Sequence, residues 1–426
     1  MRLELGTFPV ERISFTDRTR WSEGTLEVNQ RQLTAAILQD SRVTSVRLEL
    51  VRPGESVRIT SVRDVIEPRY KVSGPGVVYP GICGRPVTVV GQGRTHRLSG
   101  VALIEVAEVE MYRGNDAWLD GFIDMAGPGA VSPYAKLQNL CVVLDVDRSL
   151  SLDDQNTACH RAALLVSDSL AMATKDLRPP VLETFELRKA DPGLPRAVYI
   201  TCHRSPQHYA NSLFAFWTSI YGFSRQTPPW VLHPNELLDG AISVRTSWDL
   251  VNNPLLRELY ARHGKDFAFA GVIAIRTRWS AQNEKDITSL QTAKTAQMLG
   301  ADGAAISWDS GGNDFMEVIR TVQACERAGV KTVWLTGEES PDTGGPALLE
   351  PLPEAQAIVS VGYGSRLQSG RGTDEEPLPG VDRLFGQERI VADSSQRQMV
   401  VPAKGPLPAP RWADHFGFGR ISCLNY

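Results

Sequence analysis

Residues 269–275 read Phe-Ala-Gly-Val-Ile-Ala-Ile, and similar short apolar runs return at 303–307 (Gly-Ala-Ala-Ile-Ser) and 330–336 (Val-Lys-Thr-Val-Trp-Leu-Thr). Runs of this length, rich in aliphatic residues and followed by polar or glycine-containing segments, are typical of buried β-strands. We therefore predict three buried strands in this half of the chain.

A helix is predicted in each interval between these strands. The first runs from about 286 to 299 and is ended by Gly300. The second, ended by Gly329, has five apolar residues on one helical face: Phe315, Val318, Ile319, Val322 and Cys325. Strands and helices in alternation imply a parallel sheet with right-handed crossovers, so the fold class expected is α/β.

The first 150 residues are predicted to form a β-rich domain. Alternating or continuously apolar runs predict strands at 45–51, 57–62, 100–107 and 140–146. One early helix is expected up to Leu38, with Asn29 as its N-cap.

Four regions of the chain differ in composition and pattern. They are a β-rich N-terminal domain (1–150), a helix with a proline-rich linker (151–195), an α/β domain (196–365) that contains a loop at 235–254, and an irregular tail (366–426). The helix of the second region is expected at 152–172, because acidic residues at its start complement the helix dipole.

Composition excludes several classes of protein. The 426 residues are 42% hydrophobic and 22% charged, with a net charge of −4, which favours a globular protein and gives no support to a nucleic-acid or membrane partner. No apolar run approaches the roughly 18 residues of a membrane span, and the N-terminus lacks the apolar core of a signal peptide. We therefore expect a cytoplasmic protein, whose six scattered cysteines are free thiols.

The loop at 235–254 has an unusual sequence, Asn-Glu-Leu-Leu-Asp-Gly-Ala-Ile-Ser-Val-Arg-Thr-Ser-Trp-Asp-Leu-Val-Asn-Asn-Pro. Four unusual runs precede it: Arg52-Pro-Gly-Glu-Ser-Val-Arg-Ile-Thr60, Asp64-Val-Ile-Glu-Pro-Arg69, Gly91-Gln-Gly-Arg-Thr-His96 and Ile123-Asp-Met-Ala-Gly-Pro-Gly-Ala130. Together these runs resemble the component B proprotein of the glycine, sarcosine and betaine reductases. The resemblance is close over roughly 1–135 and 233–273, looser over 274–340 and weak elsewhere.

In that family a similar Glu-x-x-Asp-Gly-Ala-Ile run leads into an Asn-Cys pair. The chain cleaves itself there, and the Cys becomes an N-terminal pyruvoyl group. An ungapped reading places Thr246-Ser247 at this pair. A Ser hydroxyl is competent for the same reaction, but the family's Asn and the second Cys that usually follows are absent. We therefore expect an intact chain without this cofactor, and a pyruvoyl group at Ser247 is the alternative.

The resemblance also implies site roles for four residues around the break. Besides Ser247 and Thr246, it implies catalytic roles for Asp239 and His263 and substrate-binding roles for Glu236 and Asn253. The alternative is structural: an ordinary turn at Asp239-Gly240, and a helix C-cap at His263, where a cation is favoured.

A cation, a hydroxyl and an imidazole follow one another at Arg94, Thr95 and His96, which we expect to lie on a glycine-rich turn. Such a set suits an anionic substrate such as an amino-acid carboxylate, because Arg can bind both carboxylate oxygens. The resemblance implies a substrate-binding role for these residues, and the alternative is that the turn is only structural.

Three further residues are weak candidates for a metal site: Cys202, His203 and His208. Cys and His suit zinc, but their spacing matches no standard zinc signature. A loop at the carboxyl end of a strand, where α/β proteins bind ligands, is the preferred interpretation for the histidines. The aromatic segment 209–230 is expected in the core or at a subunit interface.

The resemblance implies a subunit of an oxidoreductase that cleaves a carbon–nitrogen or related bond reductively in a small amine or carboxylate. No cysteine lies in a reactive-looking motif, so a thiol- or selenol-bearing partner subunit is expected to supply the reducing group. Two alternatives stay open. One is a structural or substrate-shaping subunit that has lost the pyruvoyl group, and the other is an unrelated thiol-dependent or metal-assisted activity on the same scaffold.

Overall fold

The computed structural model describes residues 1–109, 121–130, 132–204, 218–223, 229–244, 246–277, 281–308, 314–336, 352–361, 378–386, 388–394, 397–406 and 422–424. The protein has a mixed α/β fold. Its first half contains, in chain order, β1 (Arg2–Pro9), β2 (Arg12–Thr16), β3 (Arg20–Ser22), β4 (Thr25–Asn29), α1 (Gln30–Ile37), β5 (Val43–Val51), β6 (Val57–Ile66), β7 (Arg69–Ser73), β8 (Gly93–Ser99), β9 (Val101–Ala107), β10 (Gly121–Asp124), β11 (Gln138–Val146), α2 (Leu152–Met172) and β12 (Val181–Glu186).

The second half is richer in helices. Its elements are β13 (Arg196–Arg204), β14 (Thr218–Ile220), β15 (Trp230–Leu232), α3 (Pro234–Leu238), β16 (Ile242–Val244), α4 (Ser247–Val251), α5 (Pro254–Arg262), β17 (Ala268–Thr277), α6 (Gln282–Met298), β18 (Gly303–Trp308), α7 (Asp314–Arg327), β19 (Lys331–Thr336), β20 (Ile358–Ser360), β21 (Arg383–Phe385), β22 (Arg389–Ser394), β23 (Arg397–Pro402) and β24 (Ser422–Leu424).

Two sheets make up most of the first half. One has the strand order β12-β1-β8-β7, and the other has the order β10-β6-β9-β11-β5, with β21 paired to β6. The four strands that the sequence predicts are β5, β6, β9 and β11. The predicted N-cap is also confirmed, because the side chain of Asn29 accepts a hydrogen bond from the backbone N–H of Gln32.

Helix α2 supplies one side of the first core. It packs against β7, β9 and β11 through small residues such as Ala158, Ala162 and Ala163, which let the helix approach the strands closely. Ser151 caps its N-terminus by accepting from the backbone N–H of Asp154. The capped, acid-started helix predicted at 152–172 is therefore confirmed.

The second half is built on a seven-stranded sheet of order β15-β17-β13-β18-β19-β20-β24. Its five central strands are parallel, and β15 and β24 pair antiparallel at the two edges. Helices α6 and α7 end at Gly300 and Gly329, both of which have positive φ. The parallel α/β sheet is confirmed, although β13 lies between β17 and β18, an order that the sequence pattern does not predict.

Two regions are more regular than the sequence suggests. The proline-rich stretch expected as a linker contains β12, which pairs antiparallel with β1 from Arg2 to Thr7. The expected irregular tail contains β21, the hairpin β22–β23, and β24, which is an edge strand of the large sheet. Both differ from expectation because such strands are stabilised by distant partners that local composition does not reveal.

The side chain of Arg58 attaches this tail to the N-terminal half. Buried on β6, its guanidinium donates to both carboxylate oxygens of Asp124, at 2.6 and 2.9 Å. The same guanidinium donates to the carbonyls of Ala403, Gly405 and Pro379, at 2.8, 2.9 and 3.2 Å. Within the part of the chain that the structure describes, no helix is long and apolar enough to cross a membrane.

Replacing Arg58 should therefore destabilise the fold strongly. Arg58→Met leaves Asp124 buried without its counter-ion, which typically costs about 3–5 kcal/mol. Chemical denaturation should show this loss, together with faster proteolysis of the tail. The matched control is Arg20→Met, because the Arg20–Glu27 pair lies at the surface, where ion pairs contribute little to stability. Equal losses in the two variants would contradict this assignment.

Candidate functional site: a buried serine and carboxylate

The stretch 235–254 folds as α3, β16, α4 and the turn into α5, and it contacts strands of the N-terminal half. Arg69 of β7, completely buried, donates to the carbonyl of Leu238 at 2.5 Å and to that of Val251 at 3.2 Å. Its charge is balanced by Glu67, 2.6 Å away. One buried arginine thus holds both ends of the segment that contains Thr246 and Ser247.

Ser247 is the first residue of α4 and is almost completely buried. Its hydroxyl donates to Oδ2 of Asp64 at 2.6 Å, and its backbone N–H donates to Oδ1 of the same carboxylate at 2.8 Å. The hydroxyl of Ser243 lies 3.3 Å from that of Ser247. A carboxylate at this distance can accept the proton of the Ser247 hydroxyl, which is the role of a general base.

Thr246 is held by a different set of hydrogen bonds from Ser247. Its hydroxyl donates to Asp249 at 2.7 Å and contacts the hydroxyl of Tyr134, which also donates to Asp249 at 2.7 Å. The carbonyl of Thr246 accepts the backbone N–H of Asp249 at 3.1 Å. The residue itself is extended, with φ −101° and ψ 143°, which is an ordinary conformation.

Further charged groups lie behind Asp64. Glu105 on β9 is the cross-strand partner of Asp64. Its carboxylate lies 2.7 Å from Nδ1 of His160 and 3.3 Å from the guanidinium of Arg63. His160 is buried, and its Nε2 has no hydrogen-bond partner among the described residues. Ser247 therefore faces a buried network that contains two carboxylates, one arginine and one histidine.

This environment shifts the pKa values of two of these groups. Burial raises the pKa of Asp64 to about 6, although the charge of His160 and the hydrogen bonds from Ser247 oppose the shift. Burial by itself would lower the pKa of His160, but Glu105 and Asp64 outweigh that effect and raise it. Asp64 and His160 therefore both hold their protons to a higher pH than the free side chains do.

Asp239 lies in a second buried cluster. Its carboxylate accepts the hydroxyl of Thr95 at 2.6 Å and the backbone N–H of Gly91 at 2.7 Å, and it forms an ion pair with Lys71. Gly91 has a φ of +94°, and a Cβ there would lie 3.0 Å from the backbone of Asn235. The glycine turn at 91–93 and the start of the 235–254 stretch are therefore fitted to each other.

Glu236 and Asn253 each stabilise a helix end. Glu236 accepts the backbone N–H of His233 at 2.7 Å and the hydroxyl of Tyr221 at 2.6 Å, and burial raises its pKa. Asn253 caps α5 by accepting from Leu256, and its amide also donates to the hydroxyl of Tyr199 at 3.0 Å.

His263 is the C-cap of α5, as the structural alternative predicts. Its Nδ1 accepts the backbone N–H of Phe269 at 3.0 Å, so its Nε2 carries the proton and donates to the carbonyl of Arg188 at 2.7 Å. Both ring nitrogens thus bind main chain of this protein. A catalytic role for His263 stays a prediction.

Arg94, Thr95 and His96 lie within β8, after the glycine turn rather than on it, which corrects the sequence-based expectation. Because neighbouring side chains in a strand point to opposite faces, Thr95 faces Asp239 while the other two residues face away. Arg94 pairs with Glu4 at 2.6 Å near the surface. His96 is buried against Phe8, and its Nδ1 donates to the carbonyl of Thr174 at 2.9 Å. The three residues do not converge on one ligand position, and their substrate-binding role stays a prediction.

The weak metal candidates are separated by the same alternation. Cys202 packs in the core between the large sheet and its helices, whereas His203, on the other face, lies 2.9 Å from the hydroxyl of Thr201 through its Nε2. His208 and most of the aromatic segment 209–230 lie outside the described residues. Among the residues that are described, no three His, Cys, Asp or Glu side chains are grouped so as to hold a metal ion.

Sequence reasoning missed the partners of Ser247. Asp64 is the first residue of Asp64-Val-Ile-Glu-Pro-Arg69, one of the unusual runs of the N-terminal half. The sequence therefore did mark this position. Tyr134, Glu105 and His160 lie in segments with no distinguishing motif. Only the pairing of β6 with β9, and the packing of α2 and α4 beside them, brings these residues together.

The fold and the site define an α/β protein in which a buried serine of the segment 235–254 donates to a buried carboxylate on β6. Comparison with known proteins gives the family. The family of glycine/sarcosine/betaine reductase component B subunits matches residues 1–392, and the chain belongs to this family. No solved structure matches the chain at a significant level.

Three relatives illustrate the similarity. The chain is 34% identical over 391 residues to the betaine reductase complex component B subunit alpha of Peptoclostridium acidaminophilum, covering 86% of this chain and 85% of that protein. It is 31% identical over 404 residues to the sarcosine reductase complex component B subunit alpha of the same organism, covering 91% and 89%. It is 33% identical over 456 aligned positions to that organism's glycine reductase complex component B subunits alpha and beta, covering both chains completely.

The raised pKa of Asp64 predicts a pH-dependent stability. In the unfolded chain the pKa of Asp64 is near 3.8 and in the folded chain about 6, so the folded state binds the proton more tightly. The stabilisation of the folded state by this bound proton is complete below about pH 3.8 and is lost as pH rises through 6. The ionised carboxylate then costs about 3 kcal/mol, since one pKa unit corresponds to about 1.4 kcal/mol.

Asp64→Asn removes this titration. The free energy of unfolding of the variant, minus that of the natural protein, should therefore rise between about pH 4 and 6 and then level off. Urea denaturation at a series of pH values measures it. Asp147→Asn is the control with the opposite sign, because hydrogen bonds from Ser149 lower the pKa of the exposed Asp147. Parallel curves for Asp64→Asn and the natural protein would refute the assignment.

Proposed function

We propose that this component B subunit forms part of a reductase that cleaves a carbon–nitrogen or related bond in a small amine or carboxylate. In this proposal a separate subunit carries the thiol or selenol that supplies the reducing group. The observation that carries it is the burial of this chain's own thiols, because a redox thiol must be accessible and must ionise.

The cysteine environments support a donor on another chain. Cys141, Cys159, Cys202 and Cys325 are buried, and Cys83 is partly buried. Burial raises the pKa of Cys83, Cys159 and Cys325 to about 12 and that of Cys141 still further. Since the thiolate is the reactive form, these thiols are unreactive at neutral pH. Cysteines with a described environment therefore offer no donor.

The surroundings of Ser247 fit the chemistry of a pyruvoyl precursor in part. A hydroxyl, a carboxylate base and an N–H donor on the preceding carbonyl are present at Ser247, Asp64 and Asp249. When present, a pyruvoyl group supplies an electrophilic carbonyl for a substrate amine. In this chain, Asp64 would take up the hydroxyl proton, and the Asp249 N–H would stabilise charge on the Thr246 oxygen.

A second candidate function is a substrate-shaping subunit without its own electrophile. The relaxed backbone of Thr246 favours it, because self-cleavage generally exploits a strained peptide bond. Hydrogen bonds to Asp249 and Tyr134 hold the hydroxyl of Thr246, which fixes the residue before Ser247 in this relaxed conformation. In this case the bond cleavage belongs to the partner subunit.

The mass of the purified chain distinguishes the two candidates. We expect a single species at the full 46.8 kDa, unchanged by hydroxylamine or by borohydride with an amine, because Thr246, the residue before Ser247, has an ordinary extended backbone. Ser247→Ala, which lacks the hydroxyl, should have the same gel mobility. The opposite outcome is two fragments that meet at Thr246 and Ser247, with the second blocked at its N-terminus and Ser247→Ala uncut; that would establish a pyruvoyl subunit.

Selective alkylation tests the source of the reducing group. This chain and a thiol- or selenol-bearing subunit of a glycine or betaine reductase are treated separately with iodoacetamide, freed of reagent and then combined. Alkylating the partner should abolish turnover of the small amine, whereas alkylating this chain should leave at least about half, because its described thiols are buried. Loss of turnover only when this chain is alkylated would overturn the proposal.

A further inference from the structure

Two buried polar atoms near the Ser247–Asp64 pair have no hydrogen-bond partner among the described residues. They are Nε2 of His160 and the hydroxyl oxygen of Tyr79. The two residues are 6% and 2% exposed. A buried polar group without a partner is unfavourable, and such groups are rare in native proteins, so each one calls for an explanation.

The loop 78–85, which contains Tyr79, is fixed to helix α2. The guanidinium of Arg85 donates to the carbonyl of Leu164 on that helix at 3.3 Å. Leu164 lies about one helical turn after His160. The loop therefore lies along the part of α2 that carries His160.

The ring of Tyr79 packs against the segment 235–254. A Cβ at Gly240 would lie 3.1 Å from Cδ1 of the ring, so the lack of a side chain there lets the two approach closely. Tyr79 also has a φ of +56°, in the left-handed region that is unfavourable for a residue with a side chain. Backbone strain of this kind is concentrated at active sites and ligand clamps.

Both unpartnered atoms can accept a hydrogen bond from a ligand. Nδ1 of His160 lies 2.7 Å from a carboxylate oxygen of Glu105, so that nitrogen carries a proton. In the neutral imidazole Nε2 is then the acceptor, and the hydroxyl oxygen of Tyr79 can also accept. Asp64, which lies close enough to influence the pKa of both residues, offers a carboxylate.

The described charged groups around His160 leave a net negative charge. Two cations and three carboxylates lie on the neighbouring elements: Arg63 and Asp64 of β6, Glu105 of β9, Arg85 of the loop 78–85 and its partner Asp168 of α2. Burial lowers the pKa of His160, but the charges of Glu105 and Asp64 outweigh burial and raise it. One added cation, either a second proton on His160 or a charged ligand, balances this cluster.

We propose that the ammonium group of a small primary or secondary amine binds between Tyr79, His160 and Asp64. Its N–H groups donate to the Tyr79 oxygen, to Nε2 of the neutral imidazole and to the Asp64 carboxylate. The bound cation replaces the second proton of His160, so binding releases a proton to solvent. The proposal rests on the proposed function, because it places the amine of that reaction beside Ser247.

Tyr79→Phe separates a ligand-binding role from a structural one. Its hydroxyl has no partner among the described residues, so the free energy of unfolding of the variant should be unchanged or higher. Its dissociation constants for methylammonium, glycine and sarcosine should rise at least about tenfold, as measured by calorimetric titration. Tetramethylammonium and betaine, which carry the charge but no N–H, should bind far more weakly to the natural chain.

Tyr260→Phe is the matched control. The hydroxyl of Tyr260 donates to the side chain of Asn235, so its removal should lower the free energy of unfolding and leave the binding of the amines unchanged. Urea denaturation measures the stability of both tyrosine variants, and circular dichroism establishes that they are folded.

Proton release tests the role of His160. Titrations at neutral pH in phosphate and in Tris, which differ in ionisation enthalpy, give the number of protons released. The natural chain should release up to about one proton for each amine bound, and its affinity should rise with pH, because the protonated imidazole competes with the ligand. His160→Asn should release none, since an amide can still donate to Glu105 but does not titrate.

Three outcomes overturn the proposal: no binding of any of the three amines, unchanged binding in Tyr79→Phe, or equal binding of tetramethylammonium. Proton uptake in place of release overturns it as well, because that would indicate an anionic ligand. A loss of stability in Tyr79→Phe equal to that in Tyr260→Phe would make the hydroxyl structural. All of these measurements use the isolated chain without a partner subunit or turnover, so failure of the proposed reaction would leave them unaffected.

Discussion

The guanidinium of Arg69 binds main-chain carbonyls near both ends of the segment 235–254, and Glu67 balances its charge in the interior. A buried cation is tolerated only where its partners are fixed, since losing one leaves an uncompensated charge. The strands of the first half and the segment 235–254 are thereby confined to one relative position. The contacts of Asp64 with Ser247 and of Thr95 with Asp239 both depend on this placement, because each joins a residue of the first half to this segment.

The charges around Ser247 act as one unit. Asp64 and Glu105 are acidic, Arg63 is a permanent cation, and His160 is the group whose protonation balances the total. Burial raises the pKa of Asp64, and the carboxylates of Glu105 and Asp64 raise that of His160, so both groups hold a proton to a higher pH than in water. A buried serine that donates to a carboxylate with a raised pKa is a candidate functional site, because perturbed pKa values cluster at such sites.

Local patterns in the sequence predicted part of the fold. The strands β5, β6, β9 and β11, the cap at Asn29 and the glycine stops of α6 and α7 all follow from patterns a few residues long. The position of β13, the pairing of β12 with β1 and the strands of the tail did not, because their partners are remote in sequence. The residues of the candidate site likewise fall into those that the sequence predicted and those that it did not. Ser247 and Asp239 could be named from a continuous motif, but the group that accepts the Ser247 hydroxyl lies 183 residues away on another strand.

Two independent features agree with the family of this chain, whose members are subunits of reductase complexes. The thiols with described environments are buried, and burial raises the pKa of four of them, so these thiols are poor donors for a reductive reaction. The outer face of α6 exposes three large apolar side chains, although the helix has a fully packed inner face. The first feature concerns redox chemistry and the second concerns surface area, and neither can be derived from the other. Buried thiols, together with exposed apolar side chains on one helix, fit the subunit role that the family of this chain describes.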